Sequence, residues 1–350
     1  MASAWYCRRE DVQQALDGPA TSRTNQQIDR LIESKSRGIE RRLHRRFAPT
    51  IATRYFDWPS SQMGKSWRLW LDADELISAT TVTAGGATVS SSDYFLEPAN
   101  LGPPYDRLEM DISSSSAFGT GNTHQRDIAI AGLFGYTNDL TSIGALSSTL
   151  SNTAGSTANA TWTTPRFGVG DILLIDSERV VITGRNMSSS AQTLQNSPTA
   201  STADTTIAVT AGTSFLADTV LLIDSERMFV VDVAGNNLIV KRAWDGSVLA
   251  AHTAGATVYT YTGITLDRAQ FGTTIASHSS LATIYQWQVP GPVRQLCIAE
   301  VLNAFQQEAS GYARTIGSGD NVRNAMGAGI EDIRRDVMQS HGRQLRMAAV

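Results

Sequence analysis

The sequence is poor in cysteine, in charge and in long apolar runs. Cys7 and Cys297 are the only two cysteines among 350 residues, too few for a disulfide framework or a four-ligand zinc site. No apolar run approaches the roughly 20 residues that span a bilayer. The first residues also lack the apolar segment of a secretory signal. These absences predict a globular chain that folds in a reducing cytosol and has no membrane partner.

Signatures of enzymes and nucleotide-binding proteins are missing as well. The chain has no HExxH, CxxC, GxSxG, Walker loop or GxGxxG. Phe118–Asn122 is rich in glycine, but it lacks the lysine and the following helix of a phosphate cradle. Asp72–Glu75 is acidic, but it follows a predicted strand, which favours a solvated loop. The sequence therefore predicts a protein that is not an enzyme and that has no catalytic residues, no cofactor and no metal.

The net charge of −4 is unevenly distributed. Residues 1–58 hold eleven Arg and Lys against seven Asp and Glu, and the basic excess concentrates in KSRGIERRLHRRF, Lys35–Phe47. Such a run is typical of a solvated helix face. A surface that meets nucleic acid or an acidic partner is the alternative.

Helical spacing of apolar residues occurs near both ends. Thr24 and Gln27 match a capping box, and an apolar stripe then runs from Ile28 until Pro49 stops it. Pro292 stands at the first position of another predicted helix. A last helix follows a glycine-rich break.

Short aromatic or β-branched runs fill the section between these ends, separated by Gly, Pro, Ser and Asn. The Ser/Thr-rich stretch Thr137–Trp162 is predicted to be loop with weak strands. The sequence thus predicts an α+β fold: a helical core formed by both ends of the chain, an inserted antiparallel β-barrel or sandwich, and a repeat-containing β-insertion. The predicted sections are an amino-terminal helical part (1–58), a small antiparallel β-domain (59–136), the β-insertion (137–285), and a carboxyl-terminal helical part with a docking tail (286–350).

Two strings in the insertion occur twice. DILLIDSERVVI (171–182) aligns with TVLLIDSERMFV (219–230) at an offset of 48, and 239–259 aligns with 265–285 at an offset of 26. The second pair shares the frame R-A-x-x-G-x-x-x-A-x-H. In the first pair, an apolar run meets Asp-Ser-Glu, which favours a bend. Gly235 and Asn236 predict a tight hairpin. We interpret the pattern as a duplicated β-unit, each copy too small to bury a core alone.

The repeats place carboxylates and histidines at equivalent positions: Asp176, Glu178, Asp224, Glu226, His252 and His278. The carboxylates could bind calcium, but calcium takes about six to eight oxygens and one i, i+2 pair supplies few. The histidines could bind a metal, but equivalent places in tandem copies lie a module apart. We expect the carboxylates to serve in turns, with Glu–Arg pairing inside each unit, and the histidines to make structural hydrogen bonds.

Three segments carry a family resemblance: an ID-x-LI helix running into IERRLHRRFAPTIATRYFDWP (28–59), SDYFLEPANLGPPYDRLEMDI (92–112), and IAIAGLFGY (128–136). Together they resemble the head-to-tail adaptors (connector or head-completion proteins) of long-tailed bacteriophages. The repeated units look like the β-insertion of such adaptors from phages of actinobacteria. The insertion makes this chain much longer than minimal adaptors.

The resemblance implies a structural virion protein at the head–tail junction, made in the host cytoplasm. It implies a dodecameric ring beneath the portal protein, contact with a tail-side connector or terminator protein, and genomic DNA passing through the lumen. A closed ring satisfies every heterologous interface. The alternative is a virion decoration or host-surface carbohydrate-binding protein that uses the β-insertion. A glycan hydrolase would need a facing carboxylate pair, which the sequence does not single out.

Two segments are expected at subunit or portal interfaces. Arginines of the basic helix can make bidentate pairs with carboxylates of a neighbour. The segment after Gly329 is expected to be mobile in the monomer and to dock on the portal, so that removing 330–350 leaves the melting behaviour nearly unchanged. The expected interface residues are Arg41, Arg42, Arg45, Arg46, Ile330, Ile333, Arg334, Arg335, Val337, Arg343, Leu345 and Arg346.

Overall fold

The fold is mostly β. The computed structural model describes residues 3–16, 21–59, 65–152, 155–309, 315–316, 323–324 and 328–343. Strands make up 37% and helices 22% of the chain. The predicted α+β fold with a helical core formed by both ends is therefore wrong. In the part of the chain that the structure describes, no helix is both long and apolar enough to cross a membrane.

The described helices are α1 (Arg9–Leu16), α2 (Ser22–Leu43), α3 (Gly291–Ala309) and α4 (Ala328–His341). The cap of α2 is Thr21, whose hydroxyl accepts the backbone N–H of Thr24 at 3.1 Å, and the predicted Thr24–Gln27 box is displaced by three residues. The helix ends at Leu43, before Pro49, because His44 adopts a left-handed conformation with φ of 50°.

The helices form a layer on the large sheet and share their core with it. The apolar stripe of α2, which includes Ile28 and Ile32, is buried in one cluster with residues of α1, α3 and α4. The same cluster contains Ile172, Val181 and Trp287 of the sheet. Strand residues thus complete the core on which the helices pack, which is why the helical segments do not constitute a core of their own.

Seven strands form a small β-domain with two antiparallel sheets around one apolar core. The four-stranded sheet has the order β1-β7-β3-β4 and the three-stranded sheet the order β2-β6-β5. Leu108 and Ile130, one from each sheet, are fully buried between them. The strands are β1 (Thr50–Phe56), β2 (Arg68–Trp70), β3 (Leu76–Ala84), β4 (Ala87–Val89), β5 (Tyr94–Glu97), β6 (Arg107–Met110) and β7 (Ile128–Phe134).

Ten further strands form the large antiparallel sheet, in the order β11-β10-β17-β8-β9-β16-β13-β14-β15-β12. Two of them, β8 and β9, lie in the stretch that the sequence suggested to be mainly loop. The strands are β8 (Leu140–Leu146), β9 (Thr157–Trp162), β10 (Ile172–Ile175), β11 (Glu178–Thr193), β12 (Thr206–Ala208), β13 (Val220–Ile223), β14 (Glu226–Ala234), β15 (Asn237–Lys241), β16 (Thr257–Gln270) and β17 (Thr283–Trp287). The short strands β18 (Thr315–Ile316) and β19 (Arg323–Asn324) pair separately.

The large sheet divides into two equivalent modules. We name residues 140–186 and 263–287 module A, and residues 194–259 module B. In module A, β11 pairs with both β10 and β16, so six strands close on themselves. Module B repeats this closure through β16, β13, β14, β15, β12 and the end of β11, where Leu194 bridges Val209. Each module encloses a separate apolar core. The buried pairs Phe167/Phe215, Ile182/Val230 and Ile284/Val258 occupy equivalent positions in the two cores.

Module B is inserted into module A at one hairpin. In module B, Gly235 and Asn236 turn the chain between the paired residues Ala234 and Asn237. The equivalent pair in module A is Asn186 and Gly263, where β11 and β16 continue instead as a long ribbon that leads to module B. The copies are therefore nested, and the two sequence offsets reflect the two halves of the interrupted module.

Candidate functional site

Each module holds a buried ion cluster built from the repeated strings. In module A, the Nε and Nη2 atoms of Arg268 donate to the two carboxylate oxygens of Glu178 at 2.8 and 2.6 Å. The Glu178 side chain is fully buried, and it also accepts the backbone N–H groups of Ala269 and Ala276 at 2.9 and 3.0 Å. The ring of His278 lies between Glu178 and Asp176, at 2.9 Å from one carboxylate and 2.7 Å from the other.

Module B repeats the cluster atom for atom. Arg242 donates to both oxygens of Glu226 at 2.8 Å, and Ala243 and Ala250 supply the backbone N–H groups at 2.9 and 3.0 Å. His252 lies 3.0 Å from Glu226, and its other ring nitrogen lies 2.7 Å from Asp224. The two sets of distances agree within about 0.2 Å, so the duplication extends to side-chain geometry.

A two-residue turn presents each glutamate. Ile175 pairs with Glu178 across Asp176-Ser177, and Ile223 pairs with Glu226 across the matching turn. Asp176 and Asp224 both have φ of 51°, a left-handed conformation that aspartate tolerates. In each case the aspartate also contacts the histidine, so one residue makes the turn and holds the ring.

The arginines bind loops as well as carboxylates. Arg268 Nη1 donates to the carbonyls of Ser151 and Gly155 at 3.0 and 3.1 Å. Arg242 Nη1 donates to the carbonyls of Thr199 and Asp204, each at 3.2 Å. Each cluster therefore joins a hairpin turn, a histidine segment and a distant loop.

Burial alone would raise the pKa of Glu178, but the bonds from Arg268, His278 and two backbone N–H groups outweigh it and lower that pKa from 4.5 to about 2. The same balance, with Arg242 and His252, lowers the pKa of Glu226 to about 2. Both ring nitrogens of each histidine face carboxylate oxygens.

The geometry of the clusters suits a structural role. Five donors occupy the two oxygens of each buried glutamate, so the acceptor capacity of the carboxylates is used within the fold. Among the described residues, no group of three or more His, Cys, Asp or Glu side chains is placed to hold a metal ion.

The sequence predicted six of the eight ionisable side chains of the two clusters but not their arginines, Arg242 and Arg268, and it predicted a different pairing. We expected each glutamate to bind an arginine within its own LLIDSER unit. Instead Glu178, from the first copy, binds the arginine of the second R-A frame, and Glu226 binds the arginine of the first. The arginines inside the strings bind elsewhere: Arg179 donates to the Asn138 side chain at 3.0 Å. The order of the four strings along the chain could have indicated this pairing. In nested copies the first string pairs with the fourth, and the second pairs with the third.

An open cleft of about 610 Å³ lies between the modules. Its walls carry Trp162, whose indole N–H donates to the carbonyl of Thr262 at 3.2 Å, and Tyr261, with the Arg185 guanidinium 4.0 Å from its ring centre. Serine and threonine residues make up most of the remaining lining, and apolar residues such as Phe167, Leu216 and Val220 also contribute. Asp218 of the lining pairs with Arg166 at 3.0 Å. This cleft could not be predicted from the sequence, because facing wall residues such as Trp162 and Tyr261 are about a hundred positions apart.

Of the arginines expected at an interface in the basic segment, Arg41 and Arg42 lie on α2, and Arg45 and Arg46 follow its end at Leu43. Arg42 pairs with Glu300 at 3.0 Å. Arg45 pairs with Glu75 at 2.8 Å and donates to the carbonyl of His341 at 2.7 Å. Arg42 and Arg45 thus bind within the chain, although Arg42 is exposed, as Arg41 and Arg46 are.

The described part of the carboxyl-terminal segment is packed on the fold and is not a free tail. Val337 of α4 is buried, and Ile333 packs against the same cluster. Arg334 pairs with Glu300 of α3 at 2.9 Å. The backbone N–H of Arg343 donates to the carbonyl of Leu43 at 3.0 Å. This packing contradicts the expectation of a tail that is mobile in the monomer.

The other expected residues of this segment are more peripheral. Ile330 is half-buried, Arg335 forms an exposed pair with Asp332, and Arg343 lies 3.8 Å from the carboxylate of Asp72. Leu345 and Arg346 lie outside the described residues.

No known protein family matches this chain, and comparison with curated proteins and with solved structures finds no match either.

Proposed function

We propose that this chain is a structural virion protein, a head-to-tail adaptor that assembles as a ring between the portal and the tail and lets DNA pass through its lumen. The resemblance of residues 28–59, 92–112 and 128–136 to such adaptors supports the proposal. The ion clusters are consistent with it, because the buried charges of the insertion pair with one another inside the fold and thus have a structural role.

The observation that carries the proposal is the edge strand β1. Among the described residues, β1 pairs only with β7 in its sheet, and near its start the backbone N–H of Ile51 donates to the carbonyl of Phe271 at 2.9 Å. The side chains of Ile51 and Tyr55 lie on one face of the strand, with 45% and 62% of the residue surface exposed. An apolar edge of this kind favours association unless another chain covers it. In a closed ring, the neighbouring subunit covers the edge of every subunit.

The test is assembly of the purified protein, alone and with portal-bearing heads, measured by light scattering after size exclusion and by electron microscopy. We expect the double variant Ile51→Glu/Tyr55→Glu to remain folded and to lose ring assembly. The matched control is Val231→Glu, which changes a side chain 55% exposed on β14 of module B. Equal assembly of the edge variant and the wild type would contradict the edge assignment. A wild type that neither oligomerises nor binds heads would contradict the adaptor proposal.

The inter-module cleft supports a second candidate, a carbohydrate-binding virion protein. Trp162 and Tyr261 provide aromatic surface, and the surrounding hydroxyls provide donors and acceptors, the combination that suits a polyhydroxylated ligand. Quenching of tryptophan fluorescence by host-surface glycans would detect binding. We expect Trp162→Ala to abolish a signal that Trp67→Ala retains. Glycan binding without ring assembly would favour this candidate over the adaptor.

A further inference from the structure

The two cysteines of the chain meet in the buried core. Cys7 precedes α1 and Cys297 lies in α3, 290 positions away, yet their sulfur atoms are 3.3 Å apart. The side chains are buried, with 4% and 0% of the residue surface exposed, and both thiols are free. They lie in the cluster shared by the helices and the large sheet.

Chance contact would be uncommon. A buried residue touches about 6 to 12 others, so two cysteines placed at random among 350 residues would touch in roughly 3 cases of 100. Here the only two cysteines contact each other directly, with the sulfur atoms facing. The arrangement resembles a disulfide site in its reduced state.

We propose that Cys7 and Cys297 are a redox modification site, at which a peroxide converts the two thiols into a disulfide that fastens the amino-terminal segment to α3. One thiol loses its proton, and the thiolate attacks a peroxide oxygen. The O–O bond breaks, a sulfenic acid is formed, and the hydroxide that leaves takes up the released proton to give water. The second thiolate attacks the sulfenic sulfur, the S–S bond forms, and hydroxide leaves and takes up a proton. Overall, two thiols and one hydrogen peroxide give one disulfide and two waters.

The surroundings make this reaction selective and slow. Contact with Cys297 and burial raise the pKa of Cys7 well above its usual value, so the thiol is protonated at neutral pH. Ser36 is one nearby polar side chain: its hydroxyl lies 3.6 Å from the sulfur of Cys297 and accepts the backbone N–H of Tyr6. The charged neighbours are Asp11, which raises the pKa of Cys7 further, and its ion-pair partner Arg294, which opposes that effect. The protein would thus stay reduced during synthesis and close the link on later exposure to oxidant.

The cross-link would restrict the unfolded chain across nearly its whole length, which is the situation in which a disulfide stabilises most. It would also hold α3 and the residues before α1 together when the helical layer is strained. This inference does not depend on the adaptor proposal, because it concerns the folded chain alone.

The experiment treats the full-length protein with hydrogen peroxide or with dithiothreitol. Thiols are counted after denaturation, peptides are mapped by mass spectrometry, and melting is followed by circular dichroism. We expect the thiol count to fall from two to zero in monomeric protein, with a linked peptide pair containing Cys7 and Cys297. We expect the melting temperature of the oxidised wild type to rise by several degrees.

Cys7→Ala and Cys297→Ala are the matched controls, because they retain the methionines that peroxide also oxidises. Neither should gain thermal stability on oxidation. Faster closure at pH 9 than at pH 7 is expected from the protonated thiol. Persistence of both thiols, sulfinic acid as the main product, or dimers linked between chains would overturn the proposal.

Discussion

At the scale of single residues, the ion clusters are buried charges whose stability depends on every partner being in place. Glu178 and Glu226 are fully buried charges, and each is compensated by a bidentate arginine and two backbone N–H groups. A buried ion pair contributes little net stability compared with an apolar substitute, but removal of one partner leaves an unpaired charge in the core. The clusters are therefore sensitive to substitutions that remove only one partner of a buried ion pair.

We predict that Glu178→Gln destabilises the protein by about 3 to 5 kcal/mol, because it leaves the Arg268 guanidinium without its counter-charge in a buried site. Glu226→Gln should cost a similar amount, since the second cluster has the same geometry. Urea unfolding measures both. The control is Glu308→Gln, whose partner Arg30 has a side chain 66% exposed, and which should cost less than about 1 kcal/mol. Equal effects at Glu178 and Glu308 would contradict the prediction.

The pH dependence of stability follows from the same carboxylates. The pKa of each buried glutamate is lowered in the folded state from 4.5 to about 2, so the folded state binds protons more weakly than the unfolded state. The resulting stabilisation is present above pH 4.5 and is lost as the pH falls toward 2. Melting temperatures between pH 2 and 6 should fall less steeply for Glu178→Gln/Glu226→Gln than for the wild type. Parallel curves would show that other groups dominate.

The pKa of Asp171 is shifted in the opposite direction from those of the two glutamates. Burial raises its pKa from 3.8 to about 6 against the opposing effect of Arg8, so its contribution favours folding at low pH and is lost as the pH rises through 6. We predict that the stability difference between the wild type and Asp171→Asn changes in favour of the variant between pH 4 and pH 7. Thermal melts of the pair measure it, and a constant difference across this range would contradict the assignment.

At the scale of elements, the sequence was most informative where residues repeat and least where composition is plain. The two Asp-Ser turns and the Gly235-Asn236 hairpin could be predicted from the sequence because turn formation depends on local residues. Strands β8 and β9 were missed because serine, threonine, alanine and glycine alternate there with few large apolar residues, so the period-2 pattern is weak. The helix cap was misplaced by three residues because Thr21 and Thr24 are both competent caps.

The packing of α4 could not be predicted from its sequence. Its apolar residues are few, and a glycine-rich stretch precedes it, which favoured a mobile tail. The helix is held by contacts that only the fold supplies, including the buried Val337 and the pair between Arg334 and Glu300.

We now predict that removal of residues 330–350 lowers the melting temperature by several degrees, because it exposes the apolar surface under Val337 and leaves Glu300 with one partner fewer. Circular dichroism melts measure the effect. The matched control is Arg335→Ala, which removes only an exposed pair and should change nothing measurable. An unchanged melting temperature in the truncated protein would instead support the docking-tail hypothesis.

At the scale of the whole molecule, the sequence revealed the duplication but not its topology. Both strings were visible at offsets of 48 and 26, and a tandem array was the simplest interpretation. A tandem array would give one offset throughout. The two unequal offsets arise because module A is interrupted, and the strands that complete it lie on the far side of module B.

The nesting predicts that module B can be removed without loss of module A. Residues 187–262 would be replaced by Gly-Asn, so that Asn186 and Gly263 are joined as Ala234 and Asn237 are joined in module B. We expect a soluble protein with one cooperative unfolding transition, because the six strands of module A and its ion cluster remain complete. Adding Glu178→Gln to the shortened chain should destabilise it about as much as in the full chain. Aggregation of the shortened chain would show that the modules depend on each other.

The nested order also determines which module can fold first while the chain is being translated. Module B is encoded as one continuous stretch and can close as soon as residue 259 has left the ribosome. Module A and the helical layer must wait, because Arg268, His278, β17 and α3 are all translated later. Domains generally fold as units as the chain emerges at about 5 to 20 residues per second. The chain thus folds from its inserted module outward, and for about 5 to 18 seconds, the time needed to translate the 90 residues from Glu178 to Arg268, Glu178 has no arginine to bind.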